Sequence, residues 1–190
     1  MIRVLSGLPP YGPPALSFPK MHAHREGFVL EFTNGDGEAW VANFAMPRSD
    51  GFCAVYQEFG PKTVVVVAGG AGYVIDCEER RLLREIDGHI DQCWYQPELH
   101  AVVFSDGLGF ECFDGDRTLW RSPRVSWDWI RNIDCAGMIV SGEAYDPFSD
   151  SWVPMQLDLN EVKLTGGSYP PANNEDDVAI KTSMGPASSA

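Results

Sequence analysis

Residues 64–77 read Val64-Val65-Val66-Val67-Ala68-Gly69-Gly70-Ala71-Gly72-Tyr73-Val74-Ile75-Asp76-Cys77, and after four charged residues the chain continues Leu82-Leu83-Arg84-Glu85-Ile86. A β-branched run, a glycine turn, a second β-rich run, a charged turn and a third run describe one antiparallel unit. The sketch returns as Val102-Val103-Phe104, a glycine turn, Gly109-Phe110-Glu111-Cys112-Phe113, and then Thr118-Leu119-Trp120. Fainter copies flank these two. Phe28-Val29-Leu30-Glu31-Phe32 turns through Asn34-Gly35-Asp36-Gly37 into Trp40-Val41-Ala42-Asn43-Phe44. Met138-Ile139-Val140 leads through Asp146-Pro147-Phe148-Ser149-Asp150 into Trp152-Val153-Pro154-Met155-Gln156-Leu157. The first strands begin near Phe28, Val64, Val102 and Met138, at spacings of 36, 38 and 36, and Gly72 and Gly109 lie 37 apart. Such a period belongs to repeated β architectures. Residues 52–59 and 92–95 are expected as the fourth strands of the units they follow.

Nineteen glycines and fourteen prolines in 190 residues leave little room for long helices. Residues 77–86 carry charges that suit a helix, but the repeat makes them a charged turn followed by a strand. The expectation is an all-β fold of about four antiparallel units of about 37 residues. It is propeller-like or an open meander, with a two-sheet sandwich as the alternative. One domain spans 1–169, opening with a Pro-rich lead-in over 1–20. Residues 170–190, polar and small, are expected to form a flexible tail.

Val64 to Ile86 resembles a blade of the surface-layer or quinoprotein type of β-propeller. The resemblance rests on the apolar strand, the glycine turn, Val74-Ile75-Asp76 and the closing Ile86, and it extends to the other units only through the repeat. Four units close a ring only in the smallest propellers. The tryptophan motif of the quinoprotein repeat is missing, so the resemblance implies no quinone cofactor, and none is expected.

The net charge of −13 is unevenly spread. Residues 1–95 hold 12 acidic and 8 basic side chains, residues 96–169 hold 12 and 5, and residues 170–190 hold 3 and 1. This field repels phosphate backbones and attracts basic proteins, so the expected partner is a basic protein rather than a nucleic acid. Five scattered cysteines without a Cys-x-x-Cys pair suit a reducing compartment. No signal segment opens the sequence and no apolar run is long enough to cross a bilayer. A cytoplasmic protein with no membrane partner is the expectation.

Searches for chemistry return bland answers. His22-Ala23-His24 with Glu26 would need a third ligand such as His89 or His100 to hold a metal, and solvent-exposed histidines explain it as well. Gly69-Gly70-Ala71-Gly72 lacks the Lys-Ser/Thr ending of a phosphate loop and reads as a strand turn. Asp114-Gly115-Asp116 and the Asp146–Asp150 stretch resemble fragments of calcium loops, but hairpin chemistry accounts for both. Neither a nucleophile elbow nor a His-Glu-x-x-His pair occurs. No catalytic residue or metal ligand is assigned.

What remains is a surface. Trp127 and Trp129 on one strand would share a face, with Asp128 opposite. Arg117, Arg121, Arg124 and Arg131 punctuate the same stretch as cation–π partners, and Trp120 completes the aromatic group. The competing reading places these indoles in the core. The candidate partner-binding residues are Asp114, Asp116, Trp127, Asp128, Trp129, Tyr145, Asp146 and Asp150. The expected function is a non-enzymatic protein-binding module, similar in general style to bacterial immunity proteins that neutralise basic toxins. The alternative is a small-ligand binder or hydrolytic enzyme with its site at the mouth of the repeat ring. The Pro-rich lead-in, Leu8 to Pro14, is expected to cover a sheet edge or to dock in a partner's groove.

Overall fold

The computed structural model describes residues 1–20, 25–35, 37–86 and 88–170. Among them the regular structure is β apart from 3-10 conformation at Lys20 and in the turn Pro97–Leu99. No helix is long and apolar enough to cross a membrane. His22 and His24, the histidines weighed as metal ligands, lie outside the described residues, as does all of the expected tail except Pro170.

Among the described residues sixteen strands form four sheets of four. The first contains β1 (Ile2–Val4), β2 (Leu16–Phe18), β3 (Phe28–Thr33) and β4 (Ala39–Phe44), in the order β1-β3-β4-β2. The second runs in sequence: β5 (Ala54–Tyr56), β6 (Thr63–Ala68), β7 (Ala71–Asp76) and β8 (Arg81–Ile86). β9 (Gln92–Gln96), β10 (Ala101–Ser105), β11 (Phe110–Phe113) and β12 (Thr118–Arg121) make the third. β13 (Ile130–Ala136), β14 (Ile139–Asp146), β15 (Ser151–Asp158) and β16 (Lys163–Gly166) make the fourth. The expected all-β fold of four antiparallel units is therefore present. The chain divides into two compact units, Met1–Tyr95 and Gln96–Ala190, with the boundary inside β9.

The strands expected to close each unit instead open the next one. Residues 54–56 pair with β6, matching Ala54 to Val67 and Tyr56 to Val65. They have no place beside β4, because β2 already lies there in parallel, Leu16 opposite Ala42 and Phe18 opposite Phe44. Residues 92–96 likewise join the sheet that follows them. The lead-in pairs at both edges of the first hairpin, with β1 on β3 and β2 on β4.

Within the first unit the valine run is buried on both faces: Val65, Val66 and Val67 have no exposed area and Val64 almost none. Val64, Val66, Tyr73 and Ile75 join Phe18, Leu30, Phe32, Trp40 and Phe44 in one core. Phe44 packs at 5.5 Å from Tyr73, whose hydroxyl donates to the Ala45 carbonyl at 2.8 Å. The Gly69-Gly70 turn is tightly enclosed. Gly70 has φ +86°, and a Cβ there would meet His89 Cε1 at 2.2 Å.

The charged turn after β7 follows a recurring design. Asp76 Oδ1 accepts the N–H groups of Glu78 and Glu79 at 3.0 and 2.9 Å, and Arg80 adopts a left-handed φ of 52° before β8 begins. Asp158 Oδ1 does the same for Asn160 and Glu161, at 2.8 and 3.1 Å, and the left-handed residue is Val162, φ 54°. The carboxylate supplies the acceptors that a hairpin turn leaves unmet. A β-branched residue in this region is strained by about 1–2 kcal/mol.

Three outcomes follow from this packing. Val162→Gly is expected to raise unfolding stability by about 1 kcal/mol, read as a shift of the urea midpoint at unchanged slope. Gly70→Ala, combining the left-handed strain with overpacking, is expected to cost about 2–4 kcal/mol. In a His89→Ala background that cost shrinks, so the two changes are less than additive in a denaturation series. Burial pushes the Cys77 thiol up to about 11 and those of Cys93 and Cys112 to about 12. A thiol reagent at pH 8 should therefore spare these three until denaturant is added; early modification of Cys112 would contradict this.

Candidate functional site

The second unit builds its most distinctive surface where the β12–β13 loop meets the β14–β15 hairpin. β14 and β15 pair without interruption from Ile139 opposite Asp158 to Asp146 opposite Ser151, which leaves Pro147 to Asp150 as the tip. Asp146 fixes that tip with both oxygens. Its Oδ1 accepts the Phe148 N–H at 3.0 Å and its Oδ2 the Ser149 hydroxyl at 2.6 Å. These bonds, the Ser149 hydroxyl first and the Phe148 amide next, hold the Asp146 carboxyl below its ordinary range. Asp150 occupies the left-handed region at φ 49° and accepts the Tyr145 hydroxyl at 2.8 Å. That bond is the chief reason the Tyr145 phenol is pushed upward; burial and the nearby charges of Asp150, Asp128 and Asp146 add to it. The tip is rigid, and it holds Phe148 out in solvent, 82% exposed.

The loop from Ser122 to Trp129 is not a strand. No strand runs through these described residues, and Val125 and Ser126 are consecutive and both fully buried. The Ser126 hydroxyl donates to the Trp129 carbonyl at 2.7 Å, while the Val125 N–H donates to the Leu108 carbonyl at 2.8 Å. Arg124 braces the bend: Nε donates to the Ser126 carbonyl at 2.9 Å and a terminal nitrogen to that of Trp127 at 2.7 Å. Serine bonding back to the main chain competes with strand pairing, and here it prevails.

Trp127 therefore does not share a strand face with Trp129. Its ring is the centre of a separate cluster, with Tyr169 at 4.5 Å, Phe148 edge-on at 5.5 Å and the Arg124 guanidinium at 5.9 Å. Arg124 also lies 4.7 Å over Tyr169. Trp129 is 44% exposed and Asp128 between them faces solvent. Trp120 belongs to the core. Arg131 finds its aromatic partner in Trp152, 4.0 Å away, while bonding Glu143 at 2.9 Å. Arg117 pairs with Asp114 and Arg121 with Glu111.

Trp127, Asp128, Trp129, Tyr145, Asp146 and Asp150 are thus brought to one end of the fourth sheet. Among the described residues no ion pair reaches Asp128, Asp146 or Asp150. Asp114 and Asp116 are elsewhere. They sit in the β11–β12 turn, at the opposite end of β12 from the residue where the Trp loop departs. Asp114 is an internal cap, its Oδ1 accepting the N–H groups of Asp116 and Arg117 at 2.9 and 2.8 Å. Sequence reasoning missed Phe148, Tyr169 and Ser126. Phe148 carried a signal, since an aromatic set among proline, serine and two aspartates in a short turn has no strand face to bury it.

One other polar cluster lies in the first unit. His89 Nε2 is 3.0 Å from Asp91 Oδ1 and 3.2 Å from an Arg48 nitrogen, and Arg48 also approaches Asp50 at 3.6 Å. The guanidinium occupies the position a cation would take. Among the described residues no group of three His, Cys, Asp or Glu side chains is arranged to hold a metal. His100, the other candidate ligand, sits with φ 52° at the end of the 3-10 turn. No protein-family model matches this chain, and no curated protein matches it either.

Proposed function

We propose that this protein is a non-enzymatic binding module that holds a basic protein through the aromatic and acidic end of its fourth sheet. The observation that carries the reading is Phe148: 82% exposed, yet mounted on a turn fixed by Asp146 and resting on the Trp127 ring. A rigid aromatic anchor loses little conformational freedom on binding, and aromatic anchors dominate interface energetics. Trp129 adds a second exposed ring, and Asp128, Asp146 and Asp150 supply negative charge around them. Residues 96–169, with 12 acidic and 5 basic side chains, extend that field and would steer a cationic partner. Neutralisation of a basic toxin inside a bacterial cytoplasm is the most concrete version.

Small-ligand binding would draw on a cavity of about 600 Å³ in the first unit. Its walls include Phe32, Gln57, Val64 and Cys77, and among the described residues its one charged side chain, Glu78, is already paired with Lys62 at 2.6 Å. A ligand site needs convergent polar groups free to orient its guest, which makes this the weaker reading.

The test is affinity capture at low salt, followed by reconstitution of the captured protein in purified form. A basic partner is expected, with an association rate that falls as salt rises. Phe148→Ala should weaken the complex by about tenfold or more, and Trp129→Ala should weaken it as well. A complex indifferent to both substitutions, or to salt, would sink the proposal.

A further inference from the structure

We propose a second interaction site in the first unit: the loop Leu8-Pro9-Pro10-Tyr11-Gly12-Pro13-Pro14 is a ligand for the aromatic groove of a proline-recognition domain on another protein. All seven residues are exposed. Tyr11 is 90% exposed, and among the described residues its hydroxyl meets no hydrogen-bond partner. A loop whose only task was to shield a sheet edge would turn this ring inward. The shielding is done instead by the flanking strands β1 and β2, which pair with β3 and β4.

The loop is held ready rather than left free. Below it, the Leu5 N–H donates to the Val29 carbonyl at 2.9 Å and the Leu8 N–H to Glu26 Oε2 at 3.0 Å. Beyond it, Leu16 to Phe18 are locked into the sheet. Between these anchors four of seven residues are prolines, with φ fixed and no N–H to satisfy. Leu8, Pro9 and Pro13 each precede a proline, which confines them to extended or polyproline backbone. The entropy of ordering this segment is therefore largely met before any partner arrives.

The same features set what it fits. The chain bends at each of Pro10, Tyr11, Gly12 and Pro13, so Leu8, Pro9, Pro10 and Tyr11 form one compact exposed turn rather than a continuing polyproline helix. Gly12, at φ +107°, carries the bend on before Pro13-Pro14. A partner thus reads one short turn, Leu-Pro-Pro-Tyr, rather than a long proline rod. Its complement is a groove of Trp and Tyr rings whose N–H and O–H groups reach the outward carbonyls. This site shares no residue with the acidic hairpin of the second unit and draws on apolar contact, not on charge.

The whole protein, immobilised, should be titrated with a panel of purified WW and SH3 domains at low and high salt. Saturable binding of at least one domain, little changed by 0.5 M salt, about tenfold weaker for Tyr11→Ala and similarly for Pro9→Ala/Pro10→Ala, is the expected result. Phe148→Ala should leave this binding intact, which separates it from the basic-partner complex. An unchanged melting temperature for Tyr11→Ala would show that the loss is not unfolding. Failure of every domain to saturate at about 1 mM, or binding that survives Tyr11→Ala, overturns the proposal.

Discussion

One interaction recurs at four of the turns in these sheets: a single aspartate oxygen accepting two successive backbone N–H groups. Asp76, Asp114 and Asp158 do it at the turn into the last strand of the second, third and fourth sheets. Asp106 does it between β10 and β11, bonding Leu108 and Gly109 at 2.9 Å each. A tight turn exposes donors that the ladder cannot reach, and a carboxylate on the last strand residue or the one after it is the nearest strong acceptor. The meander depends on it. Where the cap has no counterpart, after β4, the outer place is filled by β2 from upstream and the pairing becomes parallel.

That constraint also sorts the acidic residues. Asp114 looks like a partner-binding carboxylate in sequence, yet its oxygens face its own turn and Arg117. Asp146 is likewise committed to Phe148 and Ser149. Charge that is spent inward still contributes to the field, but not as a directional contact. Asp128, exposed in the Trp loop and outside any ion pair among the described residues, is the carboxylate most available to an incoming cation.

Much of the fold was legible because the β signal is local. Val64 to Val67 pair with Gly72 to Ile75 where the glycine turn places them, and the charged stretch after Cys77 resolves into turn and strand. The outer strands were less legible. Ala54 to Tyr56 is three residues long, and which neighbour it joins depends on β2 having taken the other edge, a non-local fact. The Trp loop defeated local reasoning for a different cause. Val-Ser-Trp-Asp-Trp alternates like a strand, but the buried Ser126 hydroxyl bonds within its own loop to Trp129 and beyond it to Tyr145 and Ser168. Phe148 followed from composition alone, and the weight given to aspartates obscured it.

The turns also separate architecture from recognition, because the same frame carries three different contents. From capping aspartate to left-handed residue, the frames are 76–80, 146–150 and 158–162. In the first, Glu78 and Glu79 lie outward and answer Lys62 and Arg81. In the last, Leu159 folds inward and is buried. Only the middle frame places an aromatic outward, and it does so with the best-fixed backbone of the three, since Ser149, Ser151 and Tyr145 add side-chain bonds to the cap. Nothing in the turn geometry requires an exposed ring. Exposing one costs solubility and gains no packing beyond its edge on Trp127, so its presence on the most rigid tip argues for contact with another molecule.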